Sequence, residues 1–219
     1  MCKGFIPAQS APGSGPAGLA STAPIKHSLR LLSQLRAPVT VPMQLPTRRI
    51  STEPRWHPTG QYTQADLPAA TRNWLLDDGS LTLRLMGLGE FRVQRLHQRW
   101  QVPLLSECKL LGAPPRQQAL VREEALTITD TTVVFARSVF QISHLTGDLA
   151  HLRYLQDKPL GAILFKHPAM RRSPFELARI GASSDYLPTP LQQGTPAWAR
   201  RSRFVIGGRG LMGSEGCRQ

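Results

Sequence analysis

Hydrophobic positions along the chain follow two spacings, and each stretch of one spacing predicts an element. Ala65 to Asp77 gathers Leu67, Ala70, Trp74 and Leu75 on one helical face and ends in the turn Asp77-Asp78-Gly79. Ser80 stands where a helix cap belongs, ahead of a short second helix with Leu81, Leu83, Leu85 and Met86. From Phe91 the period becomes two: Phe91, Val93 and Arg95 alternate with Arg92, Gln94 and Leu96, as in a strand with one buried face. Leu120 to Leu126 and Thr131 to Phe140 read as two further strands, and the tight connection Thr129-Asp130 joins them as an antiparallel hairpin.

Helical spacing returns after Gly147 with Leu149, Leu152, Tyr154 and Leu155, and Pro159 opens another helix running to Phe165. Ser173-Pro174-Phe175-Glu176 has the form of a capping box with proline at the first helical position, which predicts a helix through Ile180. Gly181 to Pro196 reads as a long loop and Ser202 to Ile206 as a strand. Gly207, Gly208 and Gly210 then turn the chain into a terminal segment with Leu211 and Met212. Helices and antiparallel strands within one domain make the class α+β.

Composition changes this picture mainly at the amino end. The 219 residues include 19 prolines and 18 glycines, with the prolines crowded into the first third. Residues 1–57 read as a Pro/Gly/Arg-rich leader that buries too little apolar area to offset its ordering entropy. It reads as a disordered tail, as an organelle transit peptide, or as sequence upstream of a true start near Met43. Residues 63–219 form the expected domain. Net charge is +13, and Met1 to Thr52 carries Lys3, Lys26, Arg30, Arg36, Arg48 and Arg49 with no acid at all. The rest is moderately basic, which suits capture of a dianionic metabolite as well as phosphate backbone. Cys2, Cys108 and Cys217 are far apart and show no metal-ligand spacing, so neither a disulfide framework nor a zinc site is expected, and the compartment reads as reducing. No apolar run is long enough to span a bilayer.

Candidate chemistry lies in the cations. Arg122 sits mid-strand with Leu120, Glu124 and Leu126 on its face, so it points to the interior or to a cavity mouth and needs a partner there. A salt bridge to Glu124 or Glu123 is one reading, and a ligand anion is the other. Arg137 on the next strand faces either the same cavity or the outside. Arg200, Arg201 and Arg203 alone would be a solvated basic face, and Glu215 alone would carry no meaning; together they suit a pocket for a small anion. His144 and His151 read as solvent-facing or core-edge histidines. No phosphate-cradling glycine loop and no nucleophile elbow occurs.

The ordered set Trp74 to Leu81, Val121-Arg122-Glu123, Ala136-Arg137-Ser138, Leu145-Thr146-Gly147, Lys158-Pro159-Leu160-Gly161 and Arg200-Arg201-Ser202-Arg203-Phe204 through Glu215 resembles the chorismate pyruvate-lyase family. The resemblance implies a single antiparallel sheet flanked by helices that enclose an internal ligand cavity. It implies conversion of chorismate to 4-hydroxybenzoate and pyruvate, the first step of ubiquinone synthesis, with no metal or cofactor. Carried over residue by residue, Arg122 matches an arginine that grips a substrate carboxylate and Glu215 the acid at the site. Leu81 and Leu160 match positions whose backbone touches the ligand. A cytoplasmic monomer, bound to neither nucleic acid nor membrane, is the matching expectation. Two other classes are weighed beside it. A ligand-sensing domain of transcription regulators shares the fold but needs a helix-turn-helix ahead of it, which the proline-rich leader does not supply. A nucleic-acid binder needs aromatic platforms, and aromatic residues make up only 6%. Relative to the family, the last strand ends soon after its glutamate, and Gly207, Gly208, Gly210 and Gly213 weaken it further, so fraying around Glu215 is expected.

Overall fold

The computed structural model describes residues 50–67, 69–192 and 194–217. Its elements in chain order are β1 (His57–Pro58), α1 (Ala69–Leu75), α2 (Leu81–Met86), β2 (Phe91–Gln101), α3 (Leu105–Leu111), β3 (Ala119–Ile128), β4 (Thr131–Gln141), α4 (Leu160–Leu164), β5 (Arg171–Arg172), β6 (Glu176–Ile180), β7 (Ala197–Ile206) and β8 (Arg209–Cys217). All eight strands join one antiparallel sheet in the order β1-β6-β7-β8-β4-β3-β2, with β5 also paired to β7. The α+β class and the single antiparallel sheet therefore hold.

Turn chemistry explains the two tight hairpins. Thr129 and Asp130 take φ of 44° and 64°, and Gly207 and Gly208 take 55° and 76°. Positive φ at both central residues matches the twist of the flanking strands, so Ile128 pairs with Thr131 and Ile206 with Arg209. Ser80 caps α2 as its position predicts, its hydroxyl accepting from the Leu83 N–H at 3.4 Å. The stretch Gly147–Tyr154 is helical but of the tighter 3₁₀ form. Leu149, Leu152 and Leu155, three residues apart, fall on one line of such a helix and are all buried.

Three expectations are corrected. Glu176–Ile180 is a strand and not a helix, paired with Ala197–Arg201 of β7. Ser173 and Pro174 separate β5 from β6: Ser173 donates its N–H to Arg203 O at 2.8 Å, and its hydroxyl accepts from Arg203 N at 3.0 Å. The local helix-start signal is overridden by pairing with a long neighbouring strand, a tertiary effect that periodicity does not contain. Next, β8 does not lie at a fraying edge, because it is bonded along its length to β7 on one side and β4 on the other. Two of its glycines serve close approach: a Cβ on Gly216 would lie 2.9 Å from Leu187 Cδ2, and one on Gly213 would lie 3.3 Å from Phe204 Cε2. Finally, the folded contacts begin before Thr63, since Ile50 and Trp56 pack on a core with Phe135, Tyr186 and Leu187. The Glu53 carboxylate accepts from the Leu105 and Ser106 N–H groups at the start of α3, a helix the periodicity did not reveal. What was expected of residues 1–49 lies outside the described residues.

Strand alternation assigns a different job to each sheet face. One face carries Glu123, Arg137, Ser214, Arg201 and Glu176, neighbours in register across β3, β4, β8, β7 and β6. Arg137, expected either in the cavity or outside, lies in this row. It is covered by α3 and donates to both Glu107 oxygens at 2.7 and 3.0 Å and to Glu123 Oε1 at 2.6 Å. Arg201 forks onto Glu176 and donates to Ser106 Oγ at 2.8 Å. A buried cation removed from such a network leaves carboxylates without compensation, which costs about 3–5 kcal/mol. Arg137→Ala should lower the free energy of unfolding by that order, seen as a lower urea midpoint with an unchanged slope.

Candidate functional site

The opposite face carries the pocket. In register across β3, β4, β8 and β7 it presents Glu124, Ala136, Glu215 and Arg200, and one pleat further Arg122, Ser138, Gly213 and Ser202. Above them α2 and α4 pack against each other: Gly161 lies so close that a Cβ there would be 3.0 Å from Thr82 Oγ1. Between helices and sheet is a chamber lined by Leu81, Leu160, Leu164, Phe204, Glu124 and Glu215, among others. Leu81 and Leu160 are the first residues of α2 and α4, where main-chain N–H groups have no partner within the helix. Leu81, Leu160 and Glu215 are thus brought together, and Arg122 stands on the same face with β4 between it and β8.

Arg122 is fully buried, and all its contacts use one nitrogen. Nη2 bonds to the Glu124 carboxylate, to Gln156 O at 2.5 Å and to Lys158 O at 3.1 Å. Its Nε and Nη1 are buried with no hydrogen-bond partner among the described residues. Of the two readings of Arg122, the internal salt bridge to Glu124 is formed, yet donors remain for a second anion. The chamber wall includes Glu124 and not Arg122, which lies behind it. Burial pushes the Glu124 carboxyl up to about 7, against the opposing effect of Arg122, and Asp157 adds to the rise. Burial likewise lowers Arg122, with Glu124 opposing.

At the other end Glu215 is held in place. Arg200 donates Nε to Glu215 Oε2 at 2.6 Å and Nη1 to the carbonyls of Trp74, Leu75 and Asp77 at 3.2, 3.2 and 2.6 Å. One guanidinium thus closes the carboxyl end of α1 and fixes the carboxylate. A solvated basic face is therefore not what Arg200 and Arg201 form: both are buried, and alternation sends them to opposite faces. Sequence reasoning also passed over Arg172, which lies over the rings of Phe165, Phe175 and Phe204 and donates Nε to Ser202 Oγ at 2.8 Å. Burial lowers it to about 10, with Glu215 opposing the shift. It stands one residue ahead of the Ser173 segment read as a helix start, and no local pattern marked it. Glu124 was named only as a partner for Arg122, and its place on the chamber wall was not foreseen.

Fold and chamber define a class: an α+β domain with a pocket between sheet and helices, Glu124 backed by Arg122 on one part of its wall and Glu215 held by Arg200 on another. A family model described as chorismate lyase matches residues 53–216, and the chain belongs to that family. It is 38% identical over 168 residues to a "Probable chorismate pyruvate-lyase" of Cupriavidus metallidurans, covering 73% of this chain and 78% of that protein. A protein of the same name from Pseudomonas aeruginosa is 41% identical over 145 residues, 65% of this chain and 80% of its own. Among solved structures, the effector domain of PhnF from Mycobacterium smegmatis is similar at 13% identity with a TM-score of 0.45, covering 64% of this chain and 87% of that one. No helix among the described residues is long and apolar enough to cross a membrane.

The raised Glu124 carboxyl has a consequence for stability. Folded Glu124 holds its proton up to about pH 7, whereas an unfolded one releases it near the ordinary value of 4.5. Its contribution is present below that ordinary value and is lost as pH rises through about 7. Unfolding free energy should therefore fall, on the order of 3 kcal/mol, as pH climbs across this window. Glu124→Gln should remove that part of the slope in urea titrations run at several pH values.

Proposed function

We propose that the chain is a chorismate pyruvate-lyase, which eliminates pyruvate from chorismate and leaves 4-hydroxybenzoate, the entry step of ubiquinone synthesis. It works as a cytoplasmic monomer on a freely diffusing metabolite, with no metal or cofactor. The observation that carries this reading is the placement of Arg122 and Glu215 on the one sheet face that bears the chamber, with two Arg122 donors left without a partner among the described residues, in a chain of this family.

The chemistry asks little beyond orientation. Loss of the ring proton at the hydroxyl-bearing carbon and cleavage of the bond to the enolpyruvyl oxygen complete an aromatic ring. The departing oxygen takes up a proton, and the resulting enol becomes pyruvate. A dianion placed with one carboxylate on Arg122 sets the ring between β4 and the lid helices, where Leu160, Leu164 and Phe204 exclude water. Glu215, its direction fixed by Arg200, handles the proton at the departing enolpyruvyl oxygen. The main-chain groups of Leu81 and Leu160 at the two helix starts complete the contacts.

Incubating purified protein with chorismate should yield 4-hydroxybenzoate and pyruvate in equal amounts. Arg122→Ala should raise KM at least about tenfold, since a buried charged contact is lost. Glu215→Gln should lower kcat by about a hundredfold, the scale of a lost proton-transfer group. Wild-type kinetics in both variants would remove these two roles.

A further inference from the structure

The hydrogen-bond pattern at Arg122 is uneven. Nη2 carries two hydrogens and faces three acceptors, the Glu124 carboxylate, Gln156 O and Lys158 O, whereas Nε and Nη1 meet none among the described residues. A carboxylate is bound by a guanidinium most firmly through a two-point fork, and both such edges include Nη2, paired either with Nε or with Nη1. No complete fork is open to a ligand while Glu124 holds Nη2. Glu124 also occupies the chamber wall that Arg122 would otherwise present.

We propose that Glu124 is a built-in stand-in for the ligand carboxylate: it occupies Arg122 in the empty chamber, and a bound anion displaces it and leaves it protonated. This rests on the reading of Arg122 as the carboxylate-binding residue. The displaced side chain keeps a low-dielectric position beside the incoming negative charge, where an ionised carboxylate is disfavoured. The proton comes from solvent, so a ligand anion and one proton bind together.

The charges facing Glu124 support this direction. Arg122 is on its own strand, Arg95 is its register partner on β2, Asp157 lies just ahead of α4, and Glu215 stands beyond Ala136 in the same row. Burial already raises the carboxyl to about 7 against the pull of Arg122. Transferring that guanidinium to a ligand removes the strongest force opposing the rise. Glu124 is then a positioning and selectivity element for the pocket, since it favours ligands whose carboxylate competes at Arg122 over neutral rings of similar shape.

The decisive measurement is the proton count on binding 4-hydroxybenzoate, obtained by calorimetry in buffers of different ionisation heat. Wild-type protein should take up close to one proton per ligand at about pH 8 and far less at about pH 6, with affinity falling nearly tenfold per pH unit in the upper range. Glu124→Gln should show none of this uptake, with ionisation of the ligand phenol common to both proteins, and should bind about tenfold more tightly than wild type at about pH 8. Arg122→Ala should weaken binding at least about tenfold at both pH values. If wild type takes up no proton at the higher pH while Arg122→Ala still weakens binding, the stand-in role is wrong and the carboxylate site stands. If Arg122→Ala binds as wild type does, the carboxylate site itself is wrong and this inference falls with it. The wild-type count alone decides the point should Glu124→Gln not fold.

Discussion

A guanidinium buried in a sheet has to meet a carboxylate or a carbonyl, and this fold is arranged around satisfying four of them. Arg122, Arg137, Arg200 and Arg201 are each at most 5% exposed. Because side chains on adjacent strand positions point to opposite faces, Arg200 and Arg201 serve different layers, and so do Arg122 and Glu123. The face under α3 gives Arg137 and Arg201 partners on every guanidinium nitrogen, through Glu107, Glu123, Glu176 and Ser106. On the face under α1, α2 and α4, Arg122 keeps two donors without a partner among the described residues. Arg122 is compensated in charge by Glu124, yet its hydrogen bonding is left incomplete beside the chamber.

The chamber follows from that asymmetry. Arg200 ties α1 to β7 and β8 through three carbonyls and Glu215, so the lid region and the acid share one anchor. Arg84, stacked 3.8 Å from the centroid of the Trp74 ring and paired with Asp77 at 2.7 Å, binds α2 to α1. The glycine content of β8, which looks like weakness along the chain, allows Leu187 and Phe204 to approach the strand from opposite sides. A strand with larger side chains at Gly213 and Gly216 would hold the two layers farther apart.

How much was legible depended on whether a cue was local. The Thr129-Asp130 hairpin, the Ser80 cap and the period-two strands β3 and β4 were readable, because turn geometry and alternation act over a few residues. The Ser173 to Ile180 segment misled for the same reason: its helix-start residues are real, but Leu177 and Ile180 are buried by pairing with β7, some twenty residues further along. Arg172 and α3 carried no distinguishing local pattern. For the site, the order of motifs singled out Arg122, Glu215, Leu81 and Leu160, which the fold gathers on one face of the sheet.

Sequence alone thus gave the α+β class, the Thr129-Asp130 hairpin and the family resemblance, and it nominated the candidate residues, since each rests on local spacing or on motif order. Only the tertiary structure decided which cations are satisfied and which face the chamber. That outcome depends on strand register between distant segments, Arg122 against Ser138 and Glu215 against Arg200, and on the helices that later cover each face. Whether Arg122 meets Glu124 or Glu123 turns on one step of pleat, and the partner it takes is set by which layer excludes water above it.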